Sequence, residues 1–279
     1  MTEKASIHKQ LDWKKAKVIV AGVDIGAVNS KALILLDGQP YASSHVKTLI
    51  PKESAFGTIN AISDKTGLKL ENIHSIVATG IGRSQVPFAE KTVSEIACAA
   101  AGAVNIWGPS VRTVLDLGGQ SCKIIHCTDR GRVNDFLWND KCAAGLGRSM
   151  ESFADLVQKD IDEIGNIALQ SEELLRLSDF CSVFALSEVL DSKINRVPEE
   201  QVIAGYHHAV AMRISTLVAR IGLKTDLVII GGLARNPAII KWLEEILGVR
   251  RLAPKPAWDS TLTVALGAAM FADSFHRRR

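Results

Sequence analysis

A chain of 279 residues with a hydrophobic share of 47% can bury a sizeable core as one large or two medium domains. Its 33 Lys and Arg against 30 Asp and Glu leave a formal charge of +3, too little to imply nucleic acid. Its apolar runs are strand-sized, which argues against a membrane span. Residues 1–12 are polar and lack the apolar stretch of a secretory signal, so a cytoplasmic protein is expected. Five cysteines, Cys98, Cys122, Cys127, Cys142 and Cys181, are an odd number without an export signal, which favours reduced thiols or metal ligands over a disulfide framework.

Residues 1–16 read as a tail. A β-branched run at 17–22 then ends in Val23-Asp24-Ile25-Gly26, and Ala27-Val28-Asn29-Ser30-Lys31 leads into a second apolar run at 32–36. Asp37-Gly38 is a hairpin signal, with Gln39–Lys47 as the third strand. A helix is predicted over 54–66, stopped by Gly67. The strand Ser75–Thr79 closes in Thr79-Gly80-Ile81-Gly82-Arg83, and a helix of small residues follows at 92–104.

The second half restarts the same plan. The strand Thr113–Leu117 ends in Asp116-Leu117-Gly118-Gly119-Gln120, a strand follows at 121–127, a turn at Asp129-Arg130-Gly131, and a third strand at Val133–Asn139. Helices are predicted at 149–159, 171–177, 182–195 and Glu199–Ile221. A last strand at 226–230 runs into Gly231-Gly232-Leu233-Ala234-Arg235-Asn236-Pro237, followed by helices at 238–247 and 260–275. The echo predicts an α/β protein of two similar lobes, 17–112 joined by helix 260–275, and 113–259. Cys98, Cys122, Cys127, Trp107 and Trp138 read as packing residues.

An Asp at a strand end beside a glycine turn can hold a hydrated magnesium ion, and glycine lets backbone N–H groups approach phosphate oxygens. Asp24-x-Gly26 alone fits a plain structural turn. Together with Asp116-x-Gly118-Gly119 at the matching place, and Gly231-Gly232 ahead of a helix, it describes a nucleotide cleft between two lobes. Cys142 and Cys181 each stand just before a helix-like segment, as metal ligands at helix mouths would. Two thiolates are half the usual complement of an iron–sulfur cluster, so a second chain would supply the rest about a twofold axis.

The three loops resemble the two phosphate motifs and the adenosine motif of the superfamily that contains actin, hexokinase and the heat-shock chaperone ATPases, with ribonuclease H-like lobes. More narrowly, Asp140-Lys141-Cys142-Ala143-Ala144-Gly145-x-Gly147-Arg148 and Cys181-x-Val183-Phe184-Ala185-x-Ser187-Glu188-Val189 resemble the activators of 2-hydroxyacyl-CoA dehydratases and the ATPase subunits of ATP-dependent benzoyl-CoA reductase. Asp12-Trp13-Lys14 and Val86-Pro87-Phe88-Ala89 tilt the reading toward the reductase subunit. The resemblance implies that Asp24, Gly26, Ala27, Asn29, Ser30 and Lys31 face ATP or ADP from one lobe. It places Asp116, Gly118, Gly119 and Gln120 on the other, with Asp24 and Asp116 around Mg²⁺ and Gln120 near the attacking water. It implies Gly231, Gly232, Ala234 and Asn236 by the adenosine, Gly145 and Gly147 in the cofactor-binding set, and Cys142 and Cys181 on a [4Fe–4S] cluster bridging two subunits.

Implied partners are a second ATPase subunit, the same or different, a catalytic reductase or dehydratase, and a ferredoxin or flavodoxin donor. Nucleic acid and membrane are not among them, and no acyl-CoA site is expected on this chain. Departures from the commonest pattern are Ala27-Val28-Asn29, Leu186, and Ser121 where an Asp usually follows the Gln, so weak hydrolysis is one expectation. A sugar kinase of the same superfamily, or an actin-like assembly protein, would leave the two cysteines without a task.

Overall fold

The computed structural model describes residues 4–8, 11–139, 146–253, 255 and 258–279. The chain divides into two compact units, one of residues 1–111, 127–134 and 254–279, the other of 112–126 and 135–253.

The first unit is built on a sheet of β1 (Lys4–Ile7), β2 (Ile19–Ile25), β3 (Asn29–Leu36), β4 (Gln39–Lys47), β5 (Ser75–Thr79) and β6 (Lys91–Thr92), in the order β1-β4-β3-β2-β5-β6. β2, β3 and β4 form an antiparallel meander, and β5 and β6 run parallel to β2. Every residue of β2 is buried, Asp24 included, as in a central strand covered on both faces. Its Ile19, Val23 and Ile25 share a core with Ala55, Ile59 and Ile62 of α1 (Pro51–Thr66). Gly22 lies on the opposite face by strand alternation. A β-carbon there would collide with the Ala265 carbonyl, so α8 (Thr263–His276) rests its backbone directly on the strand. The same closeness joins α8 to α2 (Glu95–Trp107), where a β-carbon on Gly102 would strike the Thr263 carbonyl.

The expected N-terminal tail contains a strand instead. β1 pairs antiparallel with β4, and Lys65 Nζ donates to the Ala5 carbonyl at 2.7 Å. β1 is mostly exposed, so the free ladder edge of β4 orders it rather than any apolar pattern of its own.

In the second unit β7 (Thr113–Leu117), β8 (Cys122–Cys127), β9 (Val133–Asn139) and β10 (Leu227–Ile230) form a sheet ordered β10-β7-β8-β9, with β8 antiparallel and β10 parallel to β7. Relative to the leading strand this is the order of the first sheet, a ribonuclease H-like arrangement in both units. Its core joins Leu115 and Leu117 to α3 (Leu146–Val157), α4 (Ile164–Ala168), α5 (Ser182–Ile194), α6 (Glu199–Ile221) and α7 (Pro237–Leu247). Phe153 stacks on Tyr206 with centroids 4.0 Å apart, and the Tyr206 hydroxyl donates to the Ser149 carbonyl at 3.2 Å.

The helix expected over 171–177 is not formed, and the short α4 was not foreseen. Residues 171–177 run extended along α6: Leu175 N–H donates to the Gln201 carbonyl at 3.2 Å, and a β-carbon on Gly205 would strike the Leu175 carbonyl. Among the described residues no helix is long and apolar enough to cross a membrane.

Candidate functional site

In the first unit Asp24 sits one residue before the end of β2, directly opposite Lys31 in the β2–β3 register. Lys31 Nζ donates to Asp24 Oδ2 at 2.8 Å, with the carboxylate side chain 6% exposed. Gly80 follows β5, the parallel neighbour of β2, with φ +89°. That left-handed conformation suits glycine. A β-carbon there would lie 2.6 Å from Asp24 Oδ1 and collide with the Ile25 carbonyl. Gly26 turns the chain between the strands, where a β-carbon would come within 2.7 Å of the Asn29 carbonyl.

The second unit repeats these relations. Asp116 lies opposite Lys123 in the β7–β8 register, again seven residues apart. Lys123 Nζ donates to Asp116 Oδ2 at 3.2 Å, and their side chains are 3% and 7% exposed. Gly231 follows the parallel strand β10 with φ +89°, and a β-carbon there would lie 2.5 Å from the Leu117 carbonyl and 2.9 Å from Asp116 Oδ1. Each unit therefore presents an Asp–Lys pair with a left-handed glycine over the second carboxylate oxygen. Lys123 and Gly80 were not among the residues picked from the sequence. The equal Asp-to-Lys spacing, and a Gly ending the parallel strand in both halves, were the signals that could have found them.

Lys123 also donates to Ser121 Oγ at 2.9 Å and lies 5.7 Å from the centre of the Trp138 ring. Ser121 stands where the resemblance expects an Asp, so Lys123 bridges a carboxylate and a hydroxyl instead of two carboxylates. Gly118 N–H donates to the Ser121 carbonyl at 3.0 Å, closing the turn that holds Gly119 and Gln120. The start of α3 is laid on this turn: Gly147 N–H donates to Gly118 O at 3.3 Å and Arg148 N–H to Gly119 O at 2.8 Å. A β-carbon on Gly147 would come within 2.7 Å of Gly119 Cα.

The remaining residues are placed less uniformly. Ala27 lies in the bend after β2 and Asn29 opens β3. Ser30 is fully buried, on the face of β3 opposite Lys31, and its hydroxyl is engaged with Thr48 Oγ1 at 2.8 Å. Gly232 and Ala234 belong to a 3₁₀ turn, Gly232–Arg235, in which a β-carbon on Gly232 would meet open space. Asn236 caps α7, its side chain accepting from Ile239 N–H at 3.1 Å. Cys142 and Gly145 lie outside the described residues.

A lysine occupies Oδ2 of each Asp, leaving Oδ1 toward the glycine turn. One carboxylate oxygen per unit, beside closely approachable backbone, fits a hydrated Mg²⁺ held through its waters. Of the described cysteines, Cys98, Cys122 and Cys127 are buried and Cys181 is part-exposed. Burial pushes both the Cys98 and Cys122 thiols up to about 12. Cys181 is the N-cap of α5 without a side-chain capping bond, so its sulfur is not committed to the helix start. This fits a ligand for an iron–sulfur centre, whereas the other three do not.

The profile of the BadF/BadG/BcrA/BcrD ATPase family matches residues 21–272. The chain is 38% identical, over 90% of its length and 93% of the relative's, to the 2-hydroxyisocaproyl-CoA dehydratase activator of Clostridioides difficile. It is 37% identical, over 90% and 96%, to the activator of lactoyl-CoA dehydratase of Anaerotignum propionicum. A subunit of the benzoyl-CoA reductase of Thauera aromatica is more distant, at 27% over 93% and 95%. Among solved structures, the activator of the 2-hydroxyisocaproyl-CoA dehydratase from Clostridium difficile with bound ADPNP matches with a TM-score of 0.87 and 36% identity, over 94% of this chain and 96% of that one. The features that tilted the reading toward the reductase are packing devices: Trp13 Nε1–H donates to the Thr66 carbonyl at 3.0 Å, and Phe88 meets Phe56 edge-on at 5.0 Å.

Proposed function

The chain belongs to the BadF/BadG/BcrA/BcrD ATPase family, and from that premise we propose that it is an ATP-dependent activator of a 2-hydroxyacyl-CoA dehydratase, delivering low-potential electrons to that partner. The single observation that carries the choice within the family is the identity of 38% and 37% to dehydratase activators against 27% to a component of a benzoyl-CoA reductase.

In this reading the two Asp–Lys–Gly arrangements receive the nucleotide. Asp24 and Asp116 would hold Mg²⁺ through its waters, while Lys31 and Lys123 balance the carboxylates and keep them oriented. The glycine turns at 26, 80, 118, 119 and 231 let main-chain N–H groups reach phosphate oxygens, and Gln120 orients the attacking water. Cys142 and Cys181, with the same residues of a second copy, would hold a [4Fe–4S] cluster. When bound, that cluster supplies a one-electron redox change. The partial positive charge at the start of α5 favours the more negative state of whatever Cys181 ligates. A ferredoxin or flavodoxin provides the electron, and the acyl-CoA stays on the partner.

The test is anaerobic purification of the full chain. The protein should be brown, carry iron in proportion to dimers, and support ATP-dependent activity of a 2-hydroxyacyl-CoA dehydratase component, and Cys181→Ala should be colourless. A colourless wild type with ATPase activity would overturn the electron-transfer part. Activation of benzoyl-CoA reduction but of no dehydratase would overturn the choice of partner.

A further inference from the structure

The stretch Thr79-Gly80-Ile81-Gly82-Arg83, where β5 ends, lies against the end of β2. Thr79 stands opposite Asp24 in the β2–β5 register and is fully buried. Gly82 N–H donates to the Ile25 carbonyl at 3.0 Å, and a β-carbon on Gly82 would strike the Ile25 side chain. The two glycines thus let the loop's main chain close over Asp24 and Ile25, while Ile81 between them turns to solvent, 58% exposed.

One residue grips the Gly80 carbonyl twice. Arg83 N–H donates to it at 3.3 Å and Arg83 Nη1 at 3.0 Å. Glycine has the freest backbone, and a charge-assisted bond is stronger than a neutral one, so this grip fixes a left-handed turn that glycine by itself leaves loose. The turn faces the open oxygen of Asp24: Lys31 occupies Oδ2, and a β-carbon on Gly80 would lie 2.6 Å from Oδ1. Arg83 and Asp24 also act on one buried neighbour. Burial is the main push on the Cys98 thiol, to which the Asp24 carboxylate adds and which the Arg83 guanidinium opposes.

The second unit makes the same turn with a different residue. Ala234 N–H donates to the Gly231 carbonyl at 3.3 Å, the same bond at the same spacing, but a methyl side chain has nothing further to donate. The repeat departs from itself here. Asp24 is met by a lysine and by a turn that a guanidinium holds, Asp116 by a lysine and by a turn whose fourth residue is alanine.

We propose that Arg83 is the positioning residue of the Asp24 site: through Gly80 it fixes the main chain beside Oδ1, and so sets how tightly the first unit takes a hydrated divalent cation with its nucleotide. The proposal rests on the reading of Asp24 as an anchor for Mg²⁺. Arg83 acts through the turn and Asp24, without touching the phosphates. Its effect therefore belongs to the Mg²⁺-dependent part of nucleotide binding, and vanishes once Asp24 has lost its charge.

The experiment compares wild type, Arg83→Ala, Arg83→Lys, Asp24→Asn and the double variant Arg83→Ala with Asp24→Asn, each as the full chain. A fluorescent ADP is titrated once with Mg²⁺ and once with EDTA, with circular dichroism as the folding control. Arg83→Ala should bind Mg²⁺–ADP about tenfold more weakly, the factor that one charge-assisted hydrogen bond carries, and bind Mg²⁺-free ADP as wild type does. Arg83→Lys, which keeps a cationic donor, should recover most of that loss. In the Asp24→Asn background Arg83→Ala should cost nothing further, whereas a merely structural role would add its loss to that of Asp24→Asn and overturn the proposal. Equal losses with and without Mg²⁺ would make Arg83 a phosphate ligand and overturn it as well. If Arg83→Ala does not fold, Arg83→Gln, which keeps a neutral donor, takes its place: a loss of about threefold with Mg²⁺ is expected, and no loss overturns the proposal. Variants that match a Mg²⁺-responsive wild type overturn the role of Arg83 and leave Asp24 as the anchor. A wild type whose affinity ignores Mg²⁺ overturns both.

Discussion

Replacing Lys123 by methionine leaves the Asp116 carboxylate without its ammonium in a place that water scarcely reaches. The two groups are 3.2 Å apart with side chains 3% and 7% exposed. At that separation and an effective dielectric of about 20, their attraction is on the order of 5 kcal/mol. Removing one partner of a buried pair typically costs about 3–5 kcal/mol, because the surviving charge keeps its desolvation penalty. The Ser121 hydroxyl also loses its donor. The expected outcome for Lys123→Met is a loss of about 3–5 kcal/mol, or on the order of 10 °C in unfolding midpoint. It is read by thermal and urea unfolding with tryptophan fluorescence, to which Trp138 beside the ammonium contributes. Lys31→Met should lose less: its ion pair is shorter at 2.8 Å, but the lysine is 16% exposed and solvent can replace more of it. Adding Asp116→Asn to Lys123→Met should restore part of the loss, since the stranded charge is then gone. A Lys123→Met protein within about 1 kcal/mol of wild type, or one harmed further by Asp116→Asn, would refute the reasoning.

Gly231→Ala should weaken ADP binding at least tenfold in a fluorescent-nucleotide titration. It forces alanine to φ +89° and sets a methyl 2.9 Å from Asp116 Oδ1. The backbone strain alone costs about 1–3 kcal/mol. Gly248→Ala, at φ +65° with open space around it, should leave binding unchanged. Burial pushes His207 down to about 4, against an opposing bond from Nδ1 to the Ile203 carbonyl. The folded chain therefore keeps this imidazole neutral while the unfolded chain takes up a proton below about 6.5. Stability is fully present above pH 6.5 and falls as pH drops toward 4, by at most about 3 kcal/mol. Urea midpoints from pH 7 to 4 should show that decline, and His207→Leu should flatten it. In native, cluster-free protein, iodoacetamide should label Cys181 and spare Cys98 and Cys122, whose buried thiols stay protonated; mass spectrometry gives the sites.

The strands, the repeat and the acidic loops are legible in the residues alone, because each of these is a local pattern. β4, β5, β7 and β9 lie where alternation and turn residues put them, and Asp24 and Asp116 close their strands as the Asp-x-Gly motifs imply. Whatever depends on a neighbour distant in the chain emerges only on folding. The edge of β4 recruited Lys4–Ile7 into the sheet, and residues 171–177, which form no helix, pack their main chain against α6 at Gly205. Lys123 gained its meaning only when the β7–β8 register set it across from Asp116, and Arg213 its Ser182 acceptor only when α6 brought the two together across 31 residues. A lysine in a strand and an arginine in a long helix look like solvated charges in the sequence. Contact with a specific acceptor is a property of the folded chain, and no pattern local to either residue announces it.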